Sequence, residues 1–386
     1  MIRIRRAHVL AAALAAALCV PAAGVGSGKG LPAKIGKGEG ALNVIEWAAY
    51  TDPSFAKAFE RQTGCKIHRK DAGSSNEMVA LMRSGGGGGG GQYDLVSASG
   101  DASLRLIYGG DVQPINVKLI PSWKDFISIF KSPAHNTVKG QHYGVSVQWG
   151  PNTLIYNTKT VKPAPTSWSV IYSSKYKGKV TVPNNPIQIA DAALYLMKTQ
   201  KKLGIKDPYE LTQPQLAAAV SLLKKQKPLL KRYWSSATDE IADFKNGDVS
   251  VGAGWPYQTL QLKASKAPIA ETIPREGATG WADTWMLAKR APHPNCAYMW
   301  MRYVTQPQVE AKQALVFGET PVNPKACSFM NKTQKGSCAA YHLDQPLSYY
   351  KTIHFWKTPV AACGWQKSSD CMDYNAWQQA WTQVTG

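Results

Sequence analysis

An α/β fold built from two domains is predicted by three observations: strand-like and helix-like stretches alternate along the chain, the length exceeds what one core supports, and apolar residues are abundant. Alternation of this kind implies a parallel sheet with helices on its faces. The chain has 386 residues, more than the ~250–300 at which single cores stop growing. Its composition, 44% hydrophobic with 13 tryptophans, is that of a packed globular protein and not a disordered one.

The elements follow in order. Met1 to Arg6 is basic, Val9 to Val20 apolar, and Pro21-Ala22-Ala23-Gly24 small, so residues 1–25 read as an export signal. The apolar run falls short of the ~20 residues that a permanent span needs. Leu18 precedes Cys19 where lipoprotein signals take a small residue, which argues against lipidation. Residues 26–40, rich in Gly and Lys, are expected to form a flexible tether.

Leu42 to Trp47 reads as a buried first strand. Asp52-Pro53 then opens a helix over Ser54 to Glu60, with Pro at a first-turn position, and Gly64 stops it. Lys66 to Arg69 is a second strand, Ser75 to Met82 a second helix and Tyr93 to Ser97 a third strand. The seven glycines Gly85 to Gly91 lie at the helix-to-strand end of the unit and no Lys-Ser/Thr follows them. They read as an expanded connection and not as a phosphate cradle, which precedes a helix. A second α/β region begins at Thr153 to Asn157, with a strand at Gly178 to Pro183, a helix at Ile189 to Met197 and an amphipathic helix from Gln213 that ends near Pro228. After Gly247 to Trp255 the chain is expected to turn back toward the first region.

Six cysteines lie beyond the leader, and an exported chain permits them to pair. Cys327 with Cys338 and Cys363 with Cys371 are expected bridges. Cys65 and Cys296, both in apolar contexts, fit two buried thiols as well as a third bridge. No Cys-x-x-Cys or His-x-x-x-His spacing points to a metal, and no cofactor is implied. The formal charge of +20 falls to +17 once Arg3, Arg5 and Arg6 leave with the signal. The lysines are scattered and no recognised nucleic-acid motif occurs, so the charge reads as a solvated surface suited to anionic envelope polymers or lipid heads, not to nucleic acid.

Several phrases occur in an order that resembles the spermidine/putrescine-binding proteins of bacterial ABC importers. They are Asn43 to Pro53; Tyr93-Asp94-Leu95-Val96; Gln148-Trp149-Gly150; Pro165 to Trp168 with Lys175 to Lys179; Gly247-Asp248-Val249 with Gly254-Trp255; Pro274 to Gly277 with Trp281-Ala282-Asp283; and Thr320 to Asn323. The resemblance spans roughly residues 41–325. It implies a two-lobed, periplasmic-binding-protein-like fold of type II, with hinged lobes around a central cleft. Crossovers fall near Trp149-Gly150 and near Gly277 to Trp281, and a third segment after Val322 returns to the second lobe. The implied division is 41–150 plus 281–324 for one lobe, and 151–280 plus 325–386 for the other.

The resemblance also implies a ligand site. Trp47, Tyr50, Trp255 and Trp281 fall at aromatic-box positions, Asp283 at the position of the amine-binding carboxylate, and Ser99 in the loop after the third strand. Aromatic faces suit ammonium groups and methylenes alike, at ~0.5–2 kcal/mol for each cation. A carboxylate adds a charge-assisted hydrogen bond. The sequence departs from the family pattern at four places. Asn185 and Gln188 stand where an acidic pair is usual, Asp101 where an aromatic is usual and Glu319 where a Tyr is usual. Neutral amides offer no Coulomb attraction to a second ammonium.

The resemblance implies an extracytoplasmic, monomeric binding protein for a polyamine-like amine, periplasmic or at the cell envelope. It would hand its solute to permease subunits driven by a cytoplasmic ATPase. Another small solute (an amino acid, an organic cation or a sugar) is the alternative that Asn185 and Gln188 favour. An envelope-interaction protein is a third reading. A secreted enzyme is the rival class, but no Gly-x-Ser-x-Gly elbow occurs and the histidines lack metal spacing.

Overall fold

The computed structural model describes residues 31–84, 91–364 and 369–386. The export signal, Cys19, the first part of the tether and Gly85 to Gly90 lie outside the described residues.

The chain first lays down β1 (Ala41–Glu46), α1 (Pro53–Thr63), β2 (Lys66–Asp71), α2 (Ser75–Ser84), β3 (Leu95–Ser99) and α3 (Gly100–Tyr108). Local chemistry sets these boundaries. The Asp52 side chain caps α1 by accepting from the Ser54 N–H at 2.8 Å, Pro53 fits the first turn, and Gly64 ends the helix in the left-handed conformation. β3 starts at Leu95, two residues later than expected, and just before it the Asp94 carboxylate accepts from the backbone N–H of Asn43 at 2.7 Å and of His293 at 2.6 Å. A small hairpin, β4 (Thr137–Val138) and β5 (Gln141–His142), precedes β6 (Val145–Pro151).

The second region holds β7 (Thr153–Asn157), β8 (Val180–Pro183), α4 (Gln188–Thr199), α5 (Gln213–Gln226), β9 (Leu230–Trp234), α6 (Ala237–Lys245), β10 (Val251–Gly254), α7 (Pro256–Ala264) and β11 (Ile269–Thr272). The chain then returns through β12 (Ala278–Leu287), α8 (Pro294–Val304), α9 (Pro307–Phe317), β13 (Thr320–Pro321), α10 (Ala326–Thr333), α11 (Ser337–Ala340), α12 (Leu347–Tyr350) and β14 (Ile353–Phe355), and ends in α13 (Tyr374–Thr385).

Two mixed sheets result. One has the order β13-β6-β12-β3-β1-β2, with β14 added beside β12; the other has the order β11-β7-β10-β8-β9. Only β2, β1 and β3 in the first sheet, β9, β8 and β10 in the second, and the β12–β14 pair are parallel. The three strands from which a parallel sheet was expected, β1, β2 and β3, do pair in parallel, and the antiparallel pairs come with the crossing strands. β6 and β7, which carry the chain from one sheet to the other, and β12, which brings it back, pair antiparallel with their neighbours except where β12 meets β14. Every residue of β6 and β12 is buried. β2 is a solvated edge whose Lys66, Arg69 and Lys70 discourage edge pairing.

The crossings lie at Pro151 to Thr153 and between β11 and β12. β10, α7 and β11 stay with the second sheet, so the return after Trp255 comes one helix and one strand later than expected. The tail also divides differently from 325–386. α10 packs on α9 and β14 pairs with β12, so that stretch stands with the first sheet. The third crossing follows Phe355: Thr358 donates to the Asp101 carbonyl at 2.8 Å, while Lys357 pairs with Asp207 at 2.8 Å. Beyond it α13 packs its tryptophans with residues of α4 and α5. The bridges Cys327–Cys338 and Cys363–Cys371 are formed. Cys65 and Cys296 also form a bridge, which settles that alternative.

Candidate functional site

A cavity of ≈ 250 Å³ lies between the two sheets. Both sheets present the carboxyl ends of their parallel strands to it: Trp47 follows β1, Ser99 ends β3, Asn184 and Asn185 follow β8, Trp234 ends β9 and Trp255 follows β10. This is where α/β sheets bind ligands, because side chains and helix N-termini converge there without strand neighbours. A second hollow of ≈ 270 Å³ adjoins it and shares Trp255, Trp281, Phe317 and Glu319.

β12 supplies the floor. Thr279, Trp281 and Asp283 alternate onto one face of the strand. Trp281 lies over Gly150 of the neighbouring β6, where an added Cβ would sit 2.5 Å from the indole, so Gly150 makes room for that ring. Asp283 pairs across β3 with Ser99, whose hydroxyl donates to its carboxylate. Trp255 meets Trp281 edge-on at 6.1 Å and Trp234 at 5.0 Å. Its indole N–H donates to Asn152 Oδ1 at 3.0 Å, and Asn152 in turn donates to Thr279 at 2.7 Å. The aromatic wall is therefore tied to the crossing strands.

Tyr50 joins the two acidic groups. Its hydroxyl is hydrogen-bonded to Glu319 Oε2 at 2.7 Å and to Asp283 Oδ2. Burial pushes the Asp283 carboxyl up to about 7, although hydrogen bonds from Ser99 and Tyr50 oppose the rise. Burial and the neighbouring Asp283 charge hold Glu319 well above the usual carboxylate range, and Tyr50 stays neutral.

Of the residues expected at the site, Trp47, Ser99, Asn185, Trp255, Trp281, Asp283 and Glu319 line the cavity. Tyr50, Asp101 and Gln188 do not, which corrects three assignments. Tyr50 is fully buried and reaches the cavity only through its two acids. Asp101 is buried behind Ser75, from whose hydroxyl it accepts at 2.8 Å. Gln188 turns inward on α4 and donates to Asp191 at 2.6 Å. Sequence reasoning missed Ser75, Trp234, Ser235, Phe317 and Trp356, which also line the cavity. Trp234 ends a strand that shows no alternation, and Trp356 lies beyond the span of the resemblance, so neither carried a local signal.

The fold and family have counterparts among known proteins. The family described as bacterial extracellular solute-binding protein matches residues 54–336. The chain is similar to the putrescine/agmatine-binding protein of Pseudomonas aeruginosa, 24% identical over 314 residues, which cover 78% of this chain and 83% of the relative. It is also similar to the putrescine-binding periplasmic protein PotF of Escherichia coli, 26% identical over 283 residues, covering 70% and 74%. Among solved structures, the spermidine/putrescine ABC transporter substrate-binding protein PotD of Streptococcus pneumoniae superposes with a TM-score of 0.69 at 17% identity. That match covers 89% of this chain and 97% of the other.

Proposed function

This chain belongs to the bacterial extracellular solute-binding protein family, and from that premise we propose that it binds a polyamine-like aliphatic amine between its lobes and delivers it to an ABC permease. The observation that carries the proposal is a carboxylate, Asp283, set at the base of a tryptophan-lined cavity of ≈ 250 Å³. An ammonium group there exchanges water for a charge-assisted hydrogen bond and for aromatic faces. Glu319 is a second acceptor, held to the first through Tyr50. The chain acts outside the cytoplasm as a carrier and not as an enzyme. In support of this, its relatives are named as periplasmic or amine-binding proteins.

Thermal-shift screening of amines, amino acids and sugars tests the reading. A ligand at 100 times its dissociation constant stabilises the fold by about 2.7 kcal/mol. A shift with an amine class supports the proposal, and a shift with sugars alone overturns the ligand assignment.

A further inference from the structure

The two walls of the cavity differ in their hydrogen-bonding sense. Asp283 and Glu319 stand on the wall of the first sheet. The wall contributed by the second sheet, Pro183 to Asn185, Trp234, Ser235 and Trp255, carries no carboxylate. Asn185 sits in an Asx turn, its Oδ1 accepting from the Ile187 N–H at 3.0 Å. That bond sets the orientation of the amide and leaves Nδ2, a donor, without a protein acceptor among the described residues. Asp191, the acid nearest in sequence, is engaged by Gln188 and Thr279 and does not line the cavity.

An ammonium group has only donors, so it leaves donors of this kind unsatisfied, whereas an oxygen acceptor pairs with them. Building on the amine reading above, we infer that the ligand carries one ammonium, held at Asp283, and an acceptor oxygen at its other end in place of a second ammonium. An N-acyl diamine and an ω-amino acid share that chemistry.

Calorimetric titration of the whole chain with putrescine, N-acetylputrescine and γ-aminobutyrate tests the inference. At least one acceptor-bearing amine is expected to bind ~10-fold or more tightly than putrescine, and the tighter of the two tells an amide from a carboxylate. Asn185→Asp keeps the oxygen that the turn needs and replaces the donor by a charged acceptor. It is expected to reverse the order, putrescine gaining ~10-fold. Tighter binding of putrescine than of both other amines, or an order unmoved by Asn185→Asp, overturns the inference. If amines bind but putrescine leads, the amine reading survives alone; if none of the three binds, both readings fall.

Discussion

Tyr50 carries one hydroxyl hydrogen yet contacts two carboxylates. It can donate to only one of them, so the second contact requires a proton on Asp283 or Glu319. On the proposed reading an incoming ammonium takes over that proton's role. Two outcomes follow at this scale. Asp283→Asn should weaken amine binding ~30-fold or more in a calorimetric titration, since it leaves a desolvated ammonium without its charged partner; unchanged affinity would remove Asp283 from the site. Amine affinity should also rise with pH. Asp283 titrates at about 7 because burial disfavours its charged form, so at pH 5.5 most molecules carry the proton that the ligand must displace. Dissociation constants at pH 5.5 and 8.5 should differ by ~10-fold or more, tighter at the higher pH. A flat profile would contradict the exchange. The sign for stability is opposite. A carboxyl whose folded value is raised stabilises the ligand-free fold fully below its unfolded value, and that contribution is lost as pH rises through about 7.

At the scale of elements, α6 packs Glu240 against the glycines Gly252 and Gly254 of β10, with both carboxylate oxygens buried and unpartnered. Burial, reinforced by the neighbouring Asp243, holds that carboxyl well above its ordinary value. The fold therefore loses stability as pH climbs above the unfolded value near 4. Glu240→Gln should flatten that slope and stabilise the protein by about 1–3 kcal/mol at pH 8, read from urea unfolding at pH 5 and 8. A loss of stability at pH 8 would show that the carboxylate is needed there. The Cys65–Cys296 bridge joins the end of α1 to α8 across 231 residues of sequence. Replacing both with serine should cost roughly 2–5 kcal/mol, because the unfolded chain regains the entropy of a long open loop. Elements of this kind were largely legible beforehand. Asp52-Pro53 and Gly64 bracket α1 through bonds that reach only a few residues, and the two short-range bridges are close pairs. The long bridge was not legible, because nothing near Cys65 refers to Cys296.

At the scale of the whole molecule, two sheets meet across a cleft through contacts on more than one side. Gly318 lies against the Tyr257 ring, and His342 Nε2 stands 3.3 Å from Glu271. The crossing strands are tied where Asn152 and Thr279 share a backbone and a side-chain hydrogen bond. A hinge of this construction predicts that ligand draws the lobes together. Small-angle scattering should show a smaller radius of gyration with a bound amine than without, and equal radii would argue for a rigid pocket.

The amino-acid order by itself determined the alternation of strands and helices and the ends of α1, since each of these depends on neighbours within a turn or two, and through its family resemblance it named most of the residues from which a cation-binding wall could be made. Only the tertiary structure decided which of them meet. Tyr50 is 233 residues from Asp283 and 269 from Glu319, Trp234 and Trp356 join the wall from separate segments, and Gln188 turns away toward Asp191. Sheet register and the passage of the chain between lobes bring such groups together, and no local pattern carries that information.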